Sequence, residues 1–417
     1  PSQPVPADNA PAAESPGGND RRVRVAERLL AIVSERTGYP TEMLDLHLDL
    51  EADLGIDSIK RVEILGSFRQ QFADIGDVEL EHLTTLRTLH QVIDMLAPTA
   101  DPDRLVAPAT DWSAVVDTSV PSDPPYPLLG RVVSWTPGVE LVTQRVFDVA
   151  EDLYLRDHTL GRGVSNADPD LLALAVMPLT MSLEILAESA ASLAPDRTVI
   201  GLRDVRAYRW LAWDDHPRTL LVTSRRAPGK DDEVAVQLRN LTEDGESDHP
   251  SKSPVIEATV VLAEAYPPAP DPRPLVLPDG RPSRWSGDRL YTDVMFHGPS
   301  WQGVASVDRT GERGTEATLR VLPWDGFLKS AASRGFVLDP VVLDAAGQLI
   351  GFWTMEHLSS SSVIFPFRVE SLAVFGPRRP VGETLTCRAS IQLVGEQQVR
   401  SDIDVLDASG RVWMRLD

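Results

Sequence analysis

Cysteine is nearly absent from this 417-residue chain, Cys387 being the only one. One thiol excludes an intramolecular disulfide and any zinc site built on several cysteines, and it fits a reducing cytoplasm. No apolar run approaches the roughly 20 residues needed to span a bilayer, so no membrane segment is expected. The first twenty residues lack the basic stretch and apolar core of a secretory signal. Basic side chains are outnumbered, 40 Lys and Arg against 62 Asp and Glu, for a formal charge of −22. That balance argues against nucleic acid, which is held by clustered Lys and Arg on phosphates, and suits basic protein partners. No HExxH, CxxC or glycine-rich phosphate loop occurs, so neither metal nor nucleotide is expected. What is present is ordinary for a soluble globular protein: 42% hydrophobic and 24% charged residues, at a length that calls for two or three domains. The missing initiator methionine and the end inside strand-like Arg411 to Arg415 predict a piece of a longer polypeptide.

Residues 1–20, rich in Pro, Ala, Gly, Ser and Asn, cannot bury a core and read as a linker. A helical unit follows over 21–97. Val25, Leu29 and Val33, with Ala26 and Leu30, recur at helical spacing before Gly38 stops the run. The next loop carries Glu42, Asp45, Asp49, Glu51, Asp53 and Asp57 without a Lys or Arg. A second helix sets Ile59, Val62, Leu65 and Phe68 on one face. A short element near 79–83 and a last helix with Leu86, Leu89, Val92, Ile93 and Leu96 make four. Asp57-Ser58 stands at a helix start, where unpaired N–H groups and the positive dipole end suit a phosphodiester anion on Ser58. A serine there is, by itself, an ordinary N-cap.

The string Leu54-Gly55-Ile56-Asp57-Ser58 before an apolar helix resembles the attachment site of acyl and polyketide carrier proteins. Its continuation, Ile59-Lys60-Arg61-Val62-Glu63, is similar to the carriers of polyunsaturated fatty acid synthases and enediyne-type iterative polyketide synthases. The resemblance implies an all-α four-helix carrier whose Ser58 bears covalent phosphopantetheine, loaded by a phosphopantetheinyl transferase. The acidic loop suits docking to that transferase, or plain solvation.

Residues 98–127 hold seven prolines and form a second linker. Beyond it the composition turns to strands: Arg131 to Trp135, Val139 to Val149, Val199 to Trp213, Thr219 to Ser224, Glu233 to Leu238 and Val255 to Ala263. One helix interrupts them, Pro178 to Leu193, with Pro178 suited to its first turn and Leu179, Leu183, Leu186, Ala190 and Leu193 on one apolar face. Residues 271–417 repeat the plan, with a helix from Pro340 to Trp353 and strands from Phe367 through Ser390, Arg400 to Leu406 and Val412 to Arg415. One long helix per curved antiparallel sheet, twice over, predicts an α+β double hotdog, halves 128–270 and 271–417.

Three strings carry chemistry: Asp157-His158-Thr159-Leu160-Gly161-Arg162-Gly163, Phe296-His297-Gly298-Pro299-Ser300-Trp301-Gln302-Gly303, and Leu338-Asp339-Pro340-Val341-Val342-Leu343-Asp344-Ala345-Ala346-Gly347-Gln348. In this order they resemble the dehydratase domains of polyketide synthases, over about 127–417. Removing water from a 3-hydroxyacyl thioester needs a base for the α-proton and an acid for the departing hydroxide. The resemblance implies His158 as the neutral base and Asp344 as the acid, kept protonated by burial in an apolar tunnel. Gln348 lies one turn beyond Asp344 on the same helix face and would hold the carboxyl or the substrate hydroxyl. Backbone N–H groups near 161–164 would polarise the thioester carbonyl. Gly161, Gly163, Pro178, His297, Gly298, Trp301 and Gln302 would line the pocket.

The chain departs from the modular branch of that family. Gly161 and Gly163 straddle the usual glycine position, and Pro178 follows only after the extra stretch 164–177. A longer loop of this kind is closer to the iterative or polyunsaturated-type branch. His297 stands where the family string has tyrosine, as a pocket lining or a loop brace. His357 is expected in a Ser-rich loop, and Cys387 as a packed strand residue. Two other readings stay open: product-template-like cyclisation of a poly-β-keto chain, and a non-catalytic double hotdog serving as a docking or dimerisation module. The expected partners are a carrier-bound 3-hydroxyacyl chain and sister ketosynthase, acyltransferase and ketoreductase domains, with no nucleic acid or membrane. The expected location is the cytoplasm, and a homodimer through the double hotdog is a further expectation.

Overall fold

The chain divides into two units, Pro1–Ala114 and Val115–Asp417. The computed structural model describes residues 26, 28–34, 41, 44, 46, 88–96, 126–160, 174–213, 216–226, 229–230, 232–242, 254–285, 289–330, 335–358, 364–394 and 398–417. In the first unit residues 28–34 are helical and bury Leu29, Ile32 and Val33. Helix α1, Leu89–Leu96, buries Leu89 and Ile93, one turn apart. Its start is a reciprocal cap: the Gln91 N–H donates to Thr88 Oγ1 (3.3 Å) and the Thr88 N–H to Gln91 Oε1 (3.2 Å). The other two predicted helices, the acidic residues of the loop and Ser58 lie outside the described residues.

The second unit is built on period-two sequence. In β8 (Glu233–Asn240) and β9 (Ile256–Ala263) buried and partly exposed residues alternate, so one face of each strand packs inward. Twelve antiparallel strands form one sheet in the order β1-β2-β7-β8-β9-β5-β12-β15-β14-β13-β11-β10. The first half uses β1 (Arg131–Thr136), β2 (Glu140–Phe147), β5 (Thr198–Ala207), β7 (Arg218–Arg226), β8 and β9. The second uses β10 (Val304–Gly311), β11 (Gly314–Arg320), β12 (Arg368–Val374), β13 (Thr384–Val394), β14 (Gln398–Leu406) and β15 (Val412–Leu416). Each half runs hairpin, helix, a strand set at the centre, then a three-strand meander. β5 follows helix α2 (Leu179–Leu193) and β12 follows helix α3 (Pro340–His357), and these two strands pair across the middle, Leu202 opposite Leu372 and Gly201 opposite Ala373. The internal repeat is therefore one of topology. A small second sheet joins β3 (Thr159–Leu160), β4 (Leu174–Val176) and β6 (Ala212–Trp213).

Two sequence expectations change. The run from Val199 to Trp213 is two strands, β5 and β6, broken at Tyr208 to Leu211, while the strands expected between Phe367 and Ser390 are β12 and β13, separated by a turn holding Pro377 and Pro380, where proline cannot continue a ladder. Pro178 is the residue flanking α2, its carbonyl accepting from the N–H groups of Met181 and Ser182. Helix α2 also lacks a solvent face: besides its leucines it fully buries Glu184, Glu188 and Ser189. Strands β2, β5, β7, β8 and β9 and helix α3 pack against it, so these polar residues meet protein.

Candidate active site

His158 is delivered by a 3-10 turn, Leu153–Asp157, anchored by buried Tyr154 and Leu155. Its carbonyl accepts from the Val176 N–H at 3.0 Å, and its ring Nδ1 lies 2.8 Å from the Val176 carbonyl. A carbonyl oxygen only accepts, so Nδ1 carries the hydrogen and the neutral ring keeps its lone pair on Nε2. Burial pushes the pKa of His158 down from 6.5 to about 4, against the opposing pull of Asp344. At neutral pH the ring is therefore an uncharged base.

Asp344 comes from α3, whose start is fixed by several groups. Asp339 caps the helix, accepting from the Val342 N–H at 3.1 Å, and Pro340 occupies the first turn. The second Asp339 oxygen takes Arg378 Nε at 3.0 Å. Just ahead, the buried Glu184 carboxylate of α2 accepts from the N–H groups of Val337 (2.5 Å) and Leu338 (2.7 Å). Asp344 Oδ2 accepts from Gln348 Nε2 at 2.7 Å and faces His297 Nε2 at 3.2 Å. Gln348 is itself held, donating to the Trp301 carbonyl (2.9 Å) and accepting from the Tyr291 hydroxyl (2.8 Å). Of the two roles expected for Gln348, holding the carboxyl is the one the geometry displays.

The protonation expected of Asp344 requires correction. Burial does raise its pKa, but His297, the nearby His158 and the Gln348 amide together outweigh that penalty and hold the carboxyl below its ordinary range. Resting Asp344 is a carboxylate because burial brings donors with it.

The string 296–303 bolts these two parts together. The Gly298 N–H donates to the Asp157 carbonyl (2.6 Å) and the Ser300 N–H to Asp157 Oδ2 (3.0 Å). A Cβ at position 298 would overlap the Asp157 carboxylate, which is why glycine stands there. The fully buried Trp301 donates its indole N–H to the Tyr154 carbonyl at 3.0 Å. Gln302 braces the string from within, through its amide to the His297 carbonyl (3.0 Å). The His158 ring meets Phe296 and His297 edge to face, each at 5.0 Å between centroids. One ligand-type atom each from His158, His297 and Asp344 falls within 4.8 Å of the others. Two imidazoles and a carboxylate are also a donor set for a divalent metal. Its three members come from separate segments, so no spacing motif reveals it.

Pro178 flanks α2 directly after β4, the strand that holds His158. Gly161 and Gly163, with the amides assigned to the thioester carbonyl, fall outside the described residues. His357 ends α3 rather than following it, stacks on Trp353 and bonds Thr310 Oγ1 at 2.8 Å. Cys387 is a fully buried residue of β13. Asp157, Tyr291 and Glu184 also support the site. Asp157 neighbours His158 in the chain, a local signal, whereas Tyr291 and Glu184 act through partners 57 and 153 residues away, which no local pattern marks.

Residues 269–417 match the family "Polyketide synthase dehydratase N-terminal domain", and residues 27–96 match "Phosphopantetheine attachment site". Over 73 residues the chain is 36% identical to a polyunsaturated fatty acid synthase polypeptide of Thraustochytrium sp. (strain ATCC 26185 / S-3), covering 18% of this chain and 3% of that much longer relative. Among solved structures, it is similar to the dehydratase domain from the CurF module of curacin polyketide synthase, at a TM-score of 0.51 and 16% identity, covering 70% of this chain and 96% of that one. A trans-AT polyketide synthase dehydratase domain from Brevibacillus brevis aligns equally well, at a TM-score of 0.51 and 21% identity over 70% and 96% of the two chains. At such identities these likenesses speak for the fold, and the family matches speak for the kind of domain. The chain joins a phosphopantetheine-attachment carrier domain to a double-hotdog dehydratase domain of the polyketide synthase type.

Proposed function

We propose that His158 and Asp344 eliminate water from a 3-hydroxyacyl thioester, giving the α,β-unsaturated thioester. The observation that carries this reading is the His158 ring. Its Nδ1 is committed to the Val176 carbonyl, so the lone pair stays on Nε2, in a ring with a nitrogen within 4.8 Å of ligand atoms of His297 and Asp344. His158 takes the α-proton, the C–H electrons form the double bond, and the C–O bond breaks toward oxygen. Asp344 takes up a proton from solvent before the step and gives it to the departing hydroxide so that water leaves, and His158 afterwards returns the α-proton to solvent. Among the described residues nothing bonds Asp344 Oδ1, which leaves that oxygen for the substrate hydroxyl. Pro178, Gly298, Trp301 and Gln302 shape the pocket wall around these groups.

Ser58 is the proposed attachment point of phosphopantetheine, which holds the acyl chain as a thioester. The helix start expected from the sequence at Asp57-Ser58 is chemically suited to a phosphodiester. A phosphopantetheinyl transferase, and the ketosynthase, acyltransferase and ketoreductase activities that make a 3-hydroxyacyl chain, are the proposed partners, in the cytoplasm, with a homodimer through the double hotdog.

Incubating the chain with a 3-hydroxyacyl pantetheine thioester should yield the enoyl product. His158→Ala and Asp344→Asn, each still folded, should lose turnover by about 10²–10⁴-fold. Full activity in either variant would overturn the assignment, and a cyclised product without an enoyl intermediate would favour the product-template-like alternative. Loading by a transferase should add one phosphopantetheine by intact mass, and Ser58→Ala should abolish the addition.

A further inference from the structure

His158, His297 and Asp344 form a donor set as well as an acid–base centre. Each offers one ligand-type atom, and the three atoms lie within 4.8 Å of one another. Two imidazoles and a carboxylate are the make-up of a zinc site with an open fourth position. At zinc's bond lengths tetrahedral donors stand about 3.3 Å apart, and His297 Nε2 and Asp344 Oδ2 are already 3.2 Å apart. His158 has Nε2 to give, because its Nδ1 hydrogen is held by the Val176 carbonyl at 2.8 Å. Asp344 is held by the Gln348 amide at 2.7 Å, and Gln348 in turn by the Trp301 carbonyl and the Tyr291 hydroxyl. An imidazole whose other nitrogen donates to a carbonyl, and a carboxylate oriented by an amide, are the outer supports that metal ligands have. Both histidines are buried, and Phe296 stacks on the His297 ring at 4.2 Å between centroids, which limits rotation. His297 alone lacks an outer partner, its Nδ1 being buried with no hydrogen bond among the described residues. Neutral His297 offers Nε2 to an ion by moving its hydrogen to Nδ1, with no proton taken up or lost. That N–H then goes unpaired, which weakens the hold.

We propose that this triad is a reversible zinc site, which takes one divalent transition-metal ion in place of the substrate and switches the elimination off. The protein's three bonds run from His158 Nε2, His297 Nε2 and one Asp344 carboxylate oxygen, and water completes the fourth position. A bound ion takes the His158 lone pair that would accept the α-proton, and it keeps Asp344 a carboxylate with no proton to give. Metal and elimination therefore exclude each other. The unpaired Nδ1–H of His297 makes the ion exchangeable and not a fixed part of the fold. Zinc fits because it accepts imidazole and carboxylate in a four-coordinate shell, whereas magnesium and calcium take six or more ligands, mostly oxygen. That the ion shuts the reaction rests on the acid–base reading above; that it binds does not.

The test titrates Co2+ into the whole chain, free of thiol reductants and chelators, and follows the visible absorption of low-coordinate cobalt. One equivalent should bind with an intense band, and Zn2+ should displace it. His297→Gln and Asp344→Asn, each checked for folding by circular dichroism, should lose the band. Gln348→Leu should weaken Co2+ by about 10–100-fold, the usual effect of removing an outer support. Zn2+ should also inhibit dehydration of a 3-hydroxyacyl pantetheine thioester, in competition with substrate and at the concentration that displaces Co2+, with activity restored by EDTA. Absence of the band in the unaltered chain, or a band that survives in both His297→Gln and Asp344→Asn, would overturn the site. Zinc that binds there without inhibiting would overturn the switch. The two readings fail separately. Turnover by His158→Ala or Asp344→Asn sinks the acid–base assignment whatever cobalt does, and inactive variants with no cobalt band in the unaltered chain sink only the metal site.

Discussion

A hydrogen bond to one side of an imidazole decides what its other side can do. The Val176 carbonyl does this for His158, and burial then carries its pKa down to about 4. Because the base stays neutral well below the ordinary histidine value, the acid limb of kcat/KM should lie near pH 4 and not near 6.5; a limb at the ordinary value would contradict a buried, committed base. Stability has a definite sign here. The unfolded chain protonates His158 as pH falls through 6.5 while the folded one resists until about 4, so this group's contribution is lost across that window on acidification. Gln348 is the other residue with a narrow role. Its amide ties Trp301 to Asp344 and its oxygen takes Tyr291, so Gln348→Leu should cut kcat by about 10–100-fold with the fold intact, the usual effect of removing an orienting partner. Steady-state kinetics with circular dichroism would check it.

Helix α2 carries a second, unexpected cluster. Glu184 and Glu188 lie one turn apart, fully buried, and Glu188 accepts from the Leu128 N–H at 2.8 Å while Glu184 holds the segment before α3. Burial raises both pKa values, that of Glu188 further still because Glu184 is beside it. An unfolded glutamate ionises near 4.5, whereas the folded pair resists, so stability contributed here falls as pH rises above 4.5 and through the raised folded values. Glu184→Gln should flatten that fall, read as denaturation midpoints at pH 5 and pH 8. Glu184→Ala should instead cost about 1–3 kcal/mol for each of the two N–H groups left unpaired, and lower kcat by loosening the start of the helix bearing Asp344. The apolar spacing of α2 was legible in the sequence. Its two glutamates were not, since a glutamate on a helix normally marks the solvent side and only the enclosing sheet makes it a core residue.

At the scale of the molecule, the seam between β5 and β12 makes one sheet of two repeats. Gly201 sits in it, and a Cβ there would overlap the Leu372 carbonyl, which is backbone and cannot swing aside. Gly201→Ala should therefore destabilise the dehydratase unit by about 1–3 kcal/mol or more, seen as a lower melting temperature, whereas Gly347→Ala, with open space around the added carbon, should not. The double repeat also explains how the proposed catalytic groups are placed. One helix from each half meets the other at the centre, Glu184 of the first supporting the approach to the second.

Taken alone, the sequence carried the strand and helix types of the second unit, the three short strings that hold His158, His297 and Asp344, and the expectation of an attachment serine at Ser58, which lies outside the described residues. These are local patterns of period, turn residue and short string, carried by neighbours along the chain. Only the tertiary structure decided that Asp344 rests ionised, that His297 belongs with it, and that Asp157, Tyr291 and Glu184 hold the parts in place. The reason is physical. A charge state is set by the donors that burial brings around a group, and those donors come from segments up to 153 residues apart, which no local pattern records.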